Sequence, residues 1–264
     1  MQNKAEKSHM ISDISNAVHL TDIIQTVMKT PIVHVNRVDF LSKTFNIKED
    51  EVRDKTYSIS SDKRKRIAEQ RITVNVVHST TVSVLTGLPS SALTMAATIP
   101  ADIIQNMGFS MRLIQELAYI YDYDDFVNEE GELQMDWAIL FLGVMFGAQG
   151  AASLLRFAAP NVAKAAEKKV IATALTKTTW YPLTKKIFVT VTGKHLSKPI
   201  LGKAASKAVP VVGGLASGVI TAVTMEAGAK RLNKELLKGY GDNYTEAVFE
   251  ADKRVIEGQF EEVE

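Results

Sequence analysis

The sequence predicts an all-α fold, a single multi-helix domain with Gly/Ala-rich central helices. Three observations carry this. Apolar residues recur at helical spacing, as at Ile11, Ile14, Val18, Ile23, Ile24 and Val27. The seven prolines fall between such stretches and mark helix boundaries. Three stretches, 72–101, 137–155 and 208–225, hold no Asp, Glu, Lys or Arg and are rich in Ala, Gly, Thr and Val, as interior helices are. Hydrophobic residues at 46% and charged residues at 23% fit a chain with a packed core. The absence of cysteine excludes disulfides, thiolate metal sites and cysteine nucleophiles.

Residues 1–69 form an N-terminal helical segment and a polar loop. Its first residues (MQNKAEKSHMISDIS) carry no apolar run and read as neither a signal peptide nor a lipidation site. An amphipathic helix occupies about 8–30 and ends before Pro31, and a mixed helical pattern follows over 34–45. KEDEVRDKTYSISSDKRKR reads as a loop or exposed helix end. Its cluster Lys63–Arg66 suits a solvated face, with a membrane or nucleic-acid contact as the alternative.

Residues 70–240 form the helical core. Gly87 and Pro89 split the first uncharged stretch into two helices with a turn near 87–91, although TVNVVHSTTVSV also permits a strand. Pro100 and Asp102 suit a first helical turn, where proline is preorganised and an acid meets the positive end of the helix dipole. The helix that follows places Ile103, Met107, Ile114, Leu117, Ala118 and Tyr121 broadly on one side, with Arg112 and Glu116 as i,i+4 neighbours. Residues 241–264 form an acidic C-terminal tail, expected to fray.

Charge is unevenly spread along the chain. The net charge is +1, yet 122–136 carries −7, 156–207 carries +10 and 241–264 carries −6. In 156–207, apolar residues such as Val170, Ile171, Trp180 and Phe188 alternate with lysines. Lys164, Lys168, Lys169, Lys185, Lys186, Lys203 and Lys207 are candidates for an anionic membrane surface or an acidic partner. The competing reading is a solvated face neutralised by the two acidic segments. No nucleic-acid module is recognisable, so no nucleic-acid partner is expected.

No nucleotide, zinc-protease or serine-hydrolase motif is present, and no metal or cofactor is implied. DYDDFVNEEG resembles the start of a calcium loop, but Phe126 occupies a ligand position. Gly213, Gly214 and Gly218 lack the spacing of a dinucleotide loop. Gly214 and Gly218, like Gly143 and Gly147, instead form G-x-x-x-G, which lets two helices approach closely. At 18–19 uncharged residues, 137–155 and 208–225 are long enough for a membrane span. Pro210 and Gln149 argue for interior helices or reversible insertion instead.

IPAD at 99–102 and RLIQELAYIYDYD at 112–124 resemble the Pro-Ala-Asp and Arg-x-x-x-Glu-x-Ala-x-x-Tyr-Gly-x-Asp patterns of the EcsC family. WYPLTKK at 180–186, GKHLSK at 193–198 and SKAVPVVGGLASGVIT at 206–221 resemble that family's second half. The likeness covers about 70 to 235, and Asp122 stands where the family commonly has glycine. The resemblance implies a bacterial, mainly helical protein, related to one encoded beside an ABC transporter, and it supplies no catalytic residues.

Two functions follow as expectations. One is a non-enzymatic, peripheral interaction protein at the inner face of the membrane. The other is an enzyme on a lipid or peptide, with Asp102, Glu116 and Asp124 as acids and Arg112 holding an anion. A membrane-inserting effector that uses the two glycine-bearing segments is a third expectation.

Overall fold

The computed structural model describes residues 20–81, 101–125, 134–148, 150–160 and 215–261. These form nine α-helices and two short 3-10 turns, with no strand among them. In chain order they are α1 (Leu20–Met28), a 3-10 turn (Pro31–Val33), α2 (Arg37–Phe45), α3 (Glu49–Arg53), α4 (Ser61–Thr81), α5 (Ala101–Ile120), α6 (Met135–Met145), α7 (Ala151–Phe157), α8 (Leu215–Lys238), a second 3-10 turn (Gly241–Asn243) and α9 (Glu246–Glu261). The expected turn near 87–91, Gly213, Gly214 and all seven candidate lysines lie outside the described residues.

The short N-terminal helices are bounded by local hydrogen bonds. Pro31 opens the 3-10 turn, as expected of a residue without an N–H. The Asn36 side chain accepts from Asp39 N at 2.9 Å, capping α2, and Asn46 ends the helix in the left-handed region at φ +56°. The Glu51 carboxylate accepts from Lys48 N at 2.8 Å at the start of α3.

TVNVVHST is helical within α4. Arg64, Ala68, Ile72, Asn75 and Ser79 are buried. Their spacing of three and four residues is one helical face, and it outweighs the strand preference of the β-branched residues. The proposed boundary at 69/70 falls inside this helix, and a single hydrophobic core joins residues 23–52 to the rest.

α5 lies at the centre. Contrary to a one-sided amphipathic pattern, every residue from Met107 to Tyr121 is buried except the half-buried Arg112. α1, the first 3-10 turn, α2, α4, α6 and α8 all pack on it. Each fully buried Leu, Ile or Met contributes about 1.5–3 kcal/mol, so this helix supplies much of the stabilisation. Such burial also forces its polar residues to find partners. Gln115 does so by donating to Val33 O at 2.8 Å and accepting from Val35 N at 3.2 Å, which fixes the 3-10 turn against α5.

The 137–155 segment is two helices, not one. α6 stops at Met145, and Gly147 (φ +70°) and Gly150 (φ +79°) turn the chain into α7. Gly147 N donates to Val144 O at 3.1 Å and Ala148 N to Gly143 O at 2.8 Å, the hydrogen-bond pair of a left-handed helix stop. Gly143 and Gly147 therefore do not form a helix-packing pair, because Gly147 lies beyond the helix end. Eleven residues of α6 are too few for a span, which needs about 20. Among the described residues no helix is long and apolar enough to cross a membrane. Gly218 stands in the first turn of α8. α8 packs on α6 at Gly228, where a Cβ would lie 3.1 Å from Met145 O.

The C-terminal residues 246–261 do not fray but form α9, docked on α7. Phe249 stacks on Phe157 with ring centroids 5.1 Å apart, and Ile256 is buried.

Candidate functional site

The structure brings Arg112 and Glu116 together and adds two residues from α4. Glu116 is 0% exposed. Its Oε1 accepts from Arg71 Nη2 at 2.9 Å and Arg112 Nε at 3.1 Å. Its Oε2 accepts from Arg71 Nε at 2.8 Å and Asn75 Nδ2 at 2.7 Å. A carboxylate has about four lone-pair sites, and all four are engaged. With no lone pair left to take a proton, Glu116 is not a general base in this arrangement. It acts instead as a clamp between α4 and α5, since a buried carboxylate is tolerated only when paired and hydrogen-bonded.

The other candidate acids lie elsewhere. Asp102 is the second residue of α5, fourteen residues before Glu116, or about 21 Å along a helix axis. Asp124 has 85% of its side chain exposed and pairs with Lys55 at 3.3 Å. The three acids therefore do not converge. No group of three or more His, Asp or Glu residues among the described residues is arranged to hold a metal ion.

Two further ionic clusters were not anticipated. The first is built on Arg64, which is 2% exposed and so no part of a solvated basic face. Arg64 Nη2 pairs with Asp122 Oδ2 at 2.8 Å, Nε donates to Ile59 O at 3.2 Å and Nη1 donates to Ile120 O. Its guanidinium lies 4.7 Å from the Tyr240 ring centroid and 5.8 Å from that of Tyr57. Both hydroxyls donate to Asp122, Tyr57 at 2.6 Å and Tyr240 at 3.2 Å. Burial first, and for Tyr57 then the Asp122 carboxylate, pushes the Tyr57 phenol up to about 12. Burial likewise raises Tyr240 to about 12, against a lowering influence from Arg64. Asp122 itself holds φ +61° and ends α5: Tyr123 N donates to Ala118 O at 3.0 Å and Asp122 N to Tyr119 O at 3.1 Å.

The second cluster centres on Arg156 of α7. Its Nε and Nη2 grip Asp252 of α9 at 3.0 and 2.5 Å, and its Nη1 pairs with Glu235 of α8. Burial works to lower the Arg156 pKa, but Asp252 and Glu235 outweigh it and hold it above its usual value. Lys63, Lys65 and Arg66 remain on the outer side of α4, half-buried or exposed.

The signal for the missed residues lies in helical period. Arg64, Arg71 and Asn75 fall within one turn-spaced stripe with Ala68 and Ile72, and a charged residue in an apolar stripe marks a buried pair. Their acidic partners stand 41–58 residues away, beyond the reach of local pattern.

A scan against protein-family models and searches of curated proteins and solved structures find no match to this chain.

Proposed function

We propose that this chain is a non-enzymatic, peripheral interaction protein. Its helical body is a scaffold, and its lysine-rich 157–207 segment meets an anionic membrane surface. The carrying observation is where the acids are spent. Asp122, Asp124 and Asp125 pair with Arg64, Lys55 and Arg37, and Asp252 pairs with Arg156. These members of the two acidic segments already have cationic partners other than the lysines, and for Asp122 and Asp252 that partner is a buried arginine. Arg156 is itself committed to the fold, which leaves ten lysines against Glu167 over 157–207. Each lysine near an anionic bilayer contributes about 1 kcal/mol.

The resemblance to the EcsC family extends this to a place at the inner face of a bacterial membrane, beside a transport or secretion assembly such as an ABC transporter. Position 122, glycine in the family pattern, has the left-handed backbone that glycine accommodates best, and this favours the resemblance. An enzymatic reading through Asp102, Glu116 and Asp124 draws no support from acids that are separated or fully engaged.

Co-sedimentation with vesicles of phosphatidylcholine, with and without phosphatidylglycerol, tests the proposal. Binding that requires the anionic lipid and falls steeply with salt is expected. Equal absence of binding to both vesicles at low salt would refute it.

A further inference from the structure

We propose that the outer edges of Arg71 and Arg112 form a binding site for a phosphate-type oxyanion. Two arginines enclose one acid, so the cluster carries a net +1, and no other acid pairs with either guanidinium among the described residues. Glu116 is wholly buried, whereas Arg71 and Arg112 keep 27% and 30% of their side chains exposed. The acid is thus sealed from solvent, while both arginine side chains reach it.

The donors are not all used. Arg71 commits Nε and Nη2 to Glu116, and its Nη1 has no hydrogen-bond partner among the described residues. Arg112 commits Nε to Glu116 and Nη1 to Ile32 O, and its Nη2 has none among the described residues. Both guanidinium groups bond the same oxygen, Glu116 Oε1, which sets them side by side. Arg71 is further held over the Phe40 ring, 5.6 Å from its centroid. The donors are therefore fixed before any ligand arrives, and little side-chain freedom remains to be lost on binding. A planar carboxylate is best satisfied by the fork of a single guanidinium. Here the free donors come from two different arginines, which suits a tetrahedral oxyanion with oxygens pointing to both. The ligand is a phosphate monoester or diester, supplied either by a soluble phosphate compound or by a lipid headgroup.

The site uses none of the lysines of 157–207, so it stands or falls apart from the function proposed above. The test is a titration of the ¹⁵N-labelled full chain with inorganic phosphate at constant ionic strength, following the arginine Nε–Hε resonances. Saturable shifts of Arg71 and Arg112, with Arg64 and Arg156 unmoved, are expected. No saturable shift, or the same shift with chloride, overturns the proposal in the wild-type chain.

Two variants add direction. Arg71→Lys keeps the charge but loses the fork that Glu116 and the Phe40 ring hold in place, and should weaken phosphate binding about threefold or more. Arg112→Lys keeps the charge but loses the fork, and should weaken binding about threefold or more. Unchanged phosphate binding in both variants, with the fold intact, also overturns the proposal. Vesicles of phosphatidylcholine with and without phosphatidate separate the sources. If Arg112→Lys lowers binding to phosphatidate vesicles, the ligand is a headgroup. If it weakens only the phosphate titration, the ligand is soluble.

Discussion

Asp252→Ala is the sharpest perturbation of the C-terminal architecture. Asp252 is 2% exposed and takes two charge-assisted hydrogen bonds from Arg156 and one from Tyr244. Hydrogen bonds to charged groups contribute about 1.5–3 kcal/mol each and are not additive within one pair. Arg156 keeps Glu235 and Ser153 after the change and is not stranded. The loss is therefore about 2–3 kcal/mol, below the 3–5 kcal/mol of a fully broken buried pair. Apolar anchoring of α9 rests mainly on buried Ile256 and the Phe249–Phe157 stack, together worth about 2–4 kcal/mol. The ionic cluster thus holds roughly half of the docking energy.

Removing it should open α9 locally before the body unfolds. Native-state hydrogen exchange read by mass spectrometry should show protection over 246–261 falling about 30- to 100-fold, at 1.4 kcal/mol per decade, while α5 stays protected. Unchanged protection of α9, or an equal fall in α5, would refute this reasoning.

The remaining predictions concern helix ends, packing and ionisation. Asp122→Gly relieves a left-handed residue, worth about 1–2 kcal/mol. It also leaves buried Arg64 without its carboxylate, so a net loss of about 1–3 kcal/mol is expected in urea unfolding. Gly228→Ala forces a Cβ to 3.1 Å from Met145 O, a backbone atom, and this clash of about 1–3 kcal/mol outweighs the roughly 1 kcal/mol gained in helix propensity, for a net cost of about 0.5–2 kcal/mol. Gly258→Ala, with nothing within 4 Å, should stabilise by about 0.5–1 kcal/mol, and thermal melts of the pair check the contrast. Tyr57 and Tyr240 have folded pKa values raised to about 12 from 10. The stability this reflects is fully present below pH 10 and is lost as pH rises from 10 through 12. Absorbance titration should therefore show these phenols ionising late, with alkaline unfolding in that window.

Much of the helical layout is legible in the sequence because prolines, caps and turn-spaced apolar residues act locally. Pro31 marks a turn, and the i,i+4 spacing of Arg112 and Glu116 brings them together. Local pattern misleads where one spacing serves two purposes. Gly143 and Gly147 have the interval of a packing motif, yet Gly147 is a left-handed stop, and nothing within four residues separates the two. Lys63–Arg66 reads as a uniform basic run, yet Arg64 faces inward because helical period turns one residue in four toward the core. The acidic C-terminus reads as solvated because the partner of Asp252, Arg156, lies 96 residues away. Contacts of that range depend on how helices stack, which periodicity does not encode.

Membrane fractionation of cells producing the full chain tests the central claim most directly. A peripheral protein held by lysines should sediment with membranes at low salt and be released by about 1 M salt, where the Debye length shrinks to about 3 Å. Recovery in the soluble fraction at every salt concentration, or retention through a carbonate wash, would contradict it.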